Sequence, residues 1–239
     1  MHESSMRTNQ QTQLDKLKTK MTPRNYFSKA VLAAAIGLLA IGPLQAEKLT
    51  FIPIDGDRSK VSIDGTSNVR DWDAQSEKIQ GMIEIEANGF WANSKTVPAS
   101  LLANGSPAIE ATVRIPAASL TSDSRRLTSN MHDYLEVDDH PYIEFKLGSV
   151  ELVSDNGSVP EGEVDSFTTR VKGALTVSGG THEIEFPVEW KRDGDRIHLT
   201  GETELKMSDF GIDPPTLMFG TLRTADELNV VFDWVLAPE

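Results

Sequence analysis

Five side chains able to ligate a metal or move a proton fall within nine residues: His132, Asp133, Asp138, Asp139 and His140. Histidine and carboxylate are common donors to zinc and other divalent ions. Their placement works against a site. Pro141 disfavours helical geometry at His140, so the two histidines straddle a helix end and a pre-proline position. The cluster reads instead as a solvated acidic turn. His182-Glu183 opens a hairpin and His198 falls on an outward strand position, so both read as surface residues. No Gly-x-Ser-x-Gly elbow and no His-Glu-x-x-His helix occurs. Ser178-Gly179-Gly180-Thr181 lacks the Gly-x-Gly-x-x-Gly spacing of a phosphate cradle. The absence of cysteine excludes a thiol nucleophile, a thiolate metal site, a disulfide and N-terminal acylation of a cysteine. The chain is expected to be a non-enzyme that needs no metal and no cofactor.

Arg125 and Arg126 are the charged residues best suited to a ligand, since adjacent guanidinium groups match a pyrophosphate or quinone head. Pairing with Asp123 and Asp133 is the alternative. They lie in Ser119–Leu147, where the hydrophobic period changes twice. Leu127, Met131 and Leu135 recur every fourth residue, with Arg125, Arg126, Asn130 and Asp133 between them. That is one apolar stripe on a short helix over Ser124–Val137, with Asp123 or Ser124 as N-cap. The preceding IEATVRIPAASL and the following YIEFKL alternate as strands, so the helix is a plug or lid in a β-rich chain.

The other strand signals are Leu49–Ile54, Lys60–Asn68, Gly81–Glu86, Glu110–Ile115, Tyr142–Val153, Phe167–Val177, His182–Trp190, Arg196–Met207 and Leu228–Leu236. Asp55-Gly56-Asp57, Ser178-Gly179-Gly180 and Asp193-Gly194-Asp195 are turns. Asn88–Pro107, Asp155–Asp165 and Ser208–Thr224 are connections. About eight strands with one apolar face each suggest a sandwich or a closed antiparallel barrel.

Lys29–Gly42 is an apolar run that, at about 12 apolar residues, falls short of the roughly 20 needed to span a bilayer. Following Arg24 and Lys29 and preceding Ala46, it reads as an export signal cleaved after Ala46, and Met21 is a candidate start. The expected division is therefore a leader over 1–46 and one domain over 47–239. The first 46 residues hold six Lys/Arg and two Asp/Glu, so 23 basic residues fall to 17 and 36 acidic ones to 34, a charge of −17. That argues against nucleic acid as a partner.

Three segments in order carry a family resemblance. DYLEVDDHPYIEF (Asp133–Phe145) resembles the Asp-Phe-Phe-Asp-Val-x-x-x-Pro-x-Ile-x-Phe signature of the YceI-like, lipocalin-like family. GALTVSGGT (Gly173–Thr181) is similar to its Gly-x-Leu-Thr-x-x-Gly-x-Thr hairpin, and SDFGI (Ser208–Ile212) to its Ser-Asp-Phe-Gly-Ile segment. The resemblance spans roughly Leu49–Leu236. One place departs: where the family often has Asp-x-His-Leu-x-Ser, this chain reads Leu127-Thr128-Ser129-Asn130-Met131. VRDWDA (Val69–Ala74) is also outside the common pattern.

The resemblance implies an all-β fold, an extended lipocalin-like eight-stranded antiparallel barrel with one short lid helix. It implies a periplasmic carrier that holds a polyisoprenoid lipid of the prenyl quinone or prenyl phosphate type, and no integral membrane segment. The side chains expected to line the cavity are Trp72, Ile83, Ile85, Val113, Leu127, Met131, Leu135, Ile143, Phe145, Leu175, Phe186, Trp190, Leu205, Phe210, Phe219, Phe232 and Trp234. Arg125 and Arg126 would meet the head group. The alternative is a filled barrel that docks on a membrane redox protein or another envelope partner.

Overall fold

Alternating apolar and polar residues leave each strand with one face to bury, and these strands bury it by closing on one another. The computed structural model describes residues 48–54, 59–86, 109–153, 166–217 and 221–239. The expected leader with its candidate start at Met21, the 55–57 turn, the 88–107 and 155–165 connections and Phe219 lie outside the described residues. Within them run β1 (Lys48–Pro53), β2 (Lys60–Ser67), β3 (Trp72–Ser76), β4 (Gln80–Glu86), β5 (Ile109–Pro116), β6 (Tyr142–Val153), β7 (Ser166–Val177), β8 (Gly180–Asp193), β9 (Arg196–Lys206), β10 (Thr216–Leu217) and β11 (Leu222–Pro238). One α-helix, α1 (Arg125–Tyr134), separates β5 from β6.

Strand order is β1-β4-β5-β6-β7-β8-β9-β11, and β11 pairs back onto β1 to close the ring. The pairings are antiparallel throughout. β1 and β2 make one broken lane, because both lie antiparallel along β11 and so run the same way. That break is stitched at Val235. Ile54 N–H donates to the Val235 carbonyl at 2.8 Å, and the buried Ser59 hydroxyl bonds both backbone groups of Val235. β3 and β4 form the second broken lane, held where the Ser76 hydroxyl accepts from Lys78 N–H at 3.1 Å and meets Ser119 Oγ at 2.7 Å. Reciprocal backbone bonds between Gln75 and Thr121 complete that seam. The result is a closed eight-stranded antiparallel barrel with one helix, as expected.

The antiparallel order gathers the 68–71 turn, α1, the Ser178–Gly179 turn and the 207–217 segment at one end, the upper end. Ser124 caps α1, its Oγ accepting from Leu127 N–H at 3.3 Å. The helix is shorter than the expected Ser124–Val137. Glu136 adopts a left-handed conformation (φ 51°) and ends it before Pro141 is reached. Ser178 and Gly179 both have positive φ, as a two-residue hairpin turn matched to strand twist requires. The last strand begins at Leu222 rather than the expected Leu228, and so takes in the end of the expected connection. A register shift between Thr224 and Leu228 interrupts the alternation there, which hid the strand.

Candidate functional site

Three inward positions that would ordinarily carry a wall-filling side chain hold glycine instead, and an aromatic ring from a neighbouring strand lies over each. A Cβ on Gly201 would sit 2.4 Å from Phe232 Cζ, one on Gly173 2.5 Å from Phe145 Cζ, and one on Gly65 2.2 Å from Trp72 Cε2. The rings therefore lie down against the wall rather than standing into the interior. Phe145, Phe186, Phe232 and Trp234 follow one another at centroid separations of 5.6, 5.8 and 4.6 Å. Such aromatic pairs contribute about 0.5–1.5 kcal/mol each beyond their burial. The space this frees is a lumen of about 550 Å³ under α1 and the 207–217 segment.

Of the residues expected to line a cavity, Trp72, Ile83, Val113, Ile143, Phe145, Leu175, Phe186, Trp190, Leu205, Phe210, Phe232 and Trp234 lie on its wall. Leu127, Met131 and Leu135 close it from α1. Ile85 is a correction. It is only 1% exposed but does not reach the lumen; it sits low on β4, paired with Leu49 and Ile109. Arg125 is a second correction. Arg126 lines the lumen, but Arg125 is one helical step away and faces outward.

Polar lining residues cluster at the upper end. Asn130 and Tyr134 line the lumen in addition to the residues expected to do so. The row Arg126, Asn130, Tyr134 runs beside the row Leu127, Met131, Leu135, and both face the lumen. The i, i+4, i+8 spacing of that second row was the available signal. Arg70 on the 68–71 turn and Lys206 at the top of β9 are the other charged lining residues among the described ones, and no described aspartate or glutamate contributes to the lining. Lys206 reaches Glu227 at 3.5 Å. Among the described residues neither Arg70 nor Arg126 forms an ion pair. Two indole N–H groups in the wall, those of Trp72 and Trp234, are buried without a partner among the described residues.

A family model of the YceI-like domain matches residues 53–236. The chain belongs to the YceI-like family. No curated protein matches it. Among solved structures it is similar to BcnA of Burkholderia cenocepacia, at 18% identity and a TM-score of 0.54 over 74% of this chain and 95% of that one. It is also similar to a polyisoprenoid binding domain from Saccharophagus degradans implicated in plant cell wall breakdown. That likeness has 13% identity and a TM-score of 0.55 over 80% of this chain and 99% of that one. At these identities the likeness concerns the fold.

In this YceI-like chain the histidines near the lid are bound to structure, not to one another. His132 Nε2 lies 2.8 Å from the Leu120 carbonyl, anchoring α1, and His140 packs over Gly179 with Glu136 at 3.7 Å. Among the described residues no three His, Asp or Glu side chains are grouped to hold a metal. The 207–217 segment is tied down by Asp226, which accepts from both the hydroxyl and the N–H of Ser208. Those two bonds hold the Asp226 carboxyl below the usual carboxylate range. Among the described residues no helix is long and apolar enough to cross a membrane.

Proposed function

We propose that this protein is a periplasmic carrier that holds a polyisoprenoid lipid, tail in the lumen and head at the upper end, without catalysing a reaction. One observation carries the reading: an apolar lumen of about 550 Å³ whose charged lining residues, among the described residues, are all cations, in a chain of net charge −13. A tail carbon buried there gains roughly 0.8 kcal/mol, so ten carbons offset the cost of association with few polar contacts. Arg126 and Arg70 then favour a phosphate-type head over an uncharged quinone, since guanidinium binds phosphate oxygens bidentately. The polyisoprenoid binding attributed to the Saccharophagus degradans relative supports the tail chemistry. The run Lys29–Gly42 supports export. The alternative, a filled barrel that docks on a membrane redox protein, needs a solid interior, and the lumen stands against it.

The test is native mass spectrometry of protein purified gently from the periplasm, with organic extraction of what it carries. The expected result is a stoichiometric adduct that extracts as a prenyl phosphate. A bare protein that also takes up neither added prenyl phosphate nor prenyl quinone would overturn the reading.

A further inference from the structure

The lumen stops partway down the barrel, at a row of large side chains that lie directly opposite one another. Trp234 on β11 faces Leu199 on β9, Leu199 faces Trp190 on β8, and Trp190 faces Phe167 on β7. Trp234, Leu199 and Trp190 line the lumen from below. Beneath that row on β11 and β9, Leu236 is 0% exposed and Ile197 1% exposed, and neither touches the lumen. On this side of the barrel the row is therefore a floor resting on buried side chains.

Its two tryptophans are held differently. Trp190 is fixed: its Nε1–H donates to Thr169 Oγ1 at 2.8 Å and Phe167 stacks on it with rings 5° from parallel. Trp234 has no partner for its buried Nε1–H among the described residues and leans on Phe232 at 4.6 Å. Replacing Trp190 would remove a hydrogen bond to the buried Thr169 hydroxyl, whereas replacing Trp234 breaks none among the described residues.

Resting on the polyisoprenoid reading above, we propose that Trp234 is the stop that sets the length of tail the barrel accepts. From Lys206 at the mouth down to Leu199, β9 covers roughly 23 Å at about 3.3 Å per residue. At the usual barrel tilt that is about 18 Å along the axis. An extended isoprene unit adds about 5 Å, from four carbon–carbon bonds of about 1.5 Å in zigzag. The lumen thus takes a tail of about four units, and further units remain outside the mouth in contact with water.

The experiment measures binding of linear prenyl monophosphates of two, three, four, six and eight units to delipidated protein, comparing wild type, Trp234→Ala and Trp234→Phe. Wild-type affinity should rise by about tenfold or more per unit up to the fourth, and by less than about twofold from the fourth to the eighth. Trp234→Ala should move the plateau out by about one to two units. Trp234→Phe keeps an aromatic floor, guards against a fold lost to alanine, and should move it by no more than one unit. A plateau at the same length in wild type and in both folded variants would overturn the stop while leaving lipid carriage intact. So would a wild-type affinity that climbs steadily through eight units. Failure of wild type to bind any member of the series would overturn the carrier reading and the stop with it.

Discussion

The lower end of this barrel, below the Trp234–Trp190 row, is packed and the longer part above it is hollow, although both are made by the same alternation on the same strands. At the lower end, Phe51, Ile85, Ile197 and Leu236, on the neighbouring strands β1, β4, β9 and β11, are all buried in one hydrophobic cluster and none lines the lumen. Above it, inward positions on β2, β7 and β9 include Gly65, Gly173 and Gly201, and the rings beside them lie flat. A barrel of eight strands is at the width where side chains either fill the interior or leave room for one slender ligand. Three missing Cβ atoms turn the upper half toward the second outcome. The hollow is thus written in the residues that are absent from the wall as much as in those that line it.

Breaking the lower half should have the larger effect on stability. Leu236→Ala opens a cavity at a fully buried site and is expected to cost about 2–5 kcal/mol in a urea melt. Lipid binding by the folded fraction should stay within about twofold of wild type, because Leu236 does not reach the lumen. A large loss of binding in the folded protein would mean that the two halves are not separable. Breaking the upper half should do the reverse. Gly201→Ala places a Cβ against the Phe232 ring and 2.8 Å from the Pro187 carbonyl, so the ring must rise into the lumen. The expected cost is about 1–3 kcal/mol of overpacking, accompanied by at least a tenfold loss of tail affinity. If affinity survives while stability falls, the flat rings are not what keeps the lumen open.

The contrast also explains what could be read from the chain without a structure. Inward and outward positions follow from alternation, so the wall residues, the hairpin at Ser178-Gly179 and the lid stripe of Leu127, Met131 and Leu135 were legible. Depth was not. Ile85 and Ile83 share a face of β4 and a chemistry, yet one is plug and the other wall, because strand tilt and stagger set their heights and leave no local trace. Broken lanes were equally hidden. β1 and β2 looked like two strands of a hairpin, and only their common partner β11 shows that they run the same way. On α1, polarity misled: Arg126, Asn130 and Tyr134 face the lumen because the upper end is where it becomes polar. Arg125 differs from Arg126 only by the 100° between successive helical residues.

The smallest difference between the halves concerns acid. Asp226 sits at the upper end and its carboxylate is stabilised first by the Ser208 hydroxyl and then by the Ser208 N–H, so its pKa in the folded protein is depressed. The unfolded chain therefore takes up a proton at this group at a higher pH than the folded one does. The sign follows: the contribution is complete above the unfolded carboxylate pKa, near 4, and is lost as pH falls through the folded value. Because Ser208 begins the segment over the lumen, acid should loosen that segment before it touches the plug. Hydrogen exchange followed from pH 6 to pH 3 is expected to show exchange that rises, relative to the intrinsic rate at each pH, at residues 207–217, with the strands at Leu199 and Leu236 still protected. Asp226→Asn should exchange faster in that segment at pH 6, with a shallower further rise on acidification than wild type shows. Equal acid dependence in the two proteins would show that the Ser208 clamp does not hold the upper end closed.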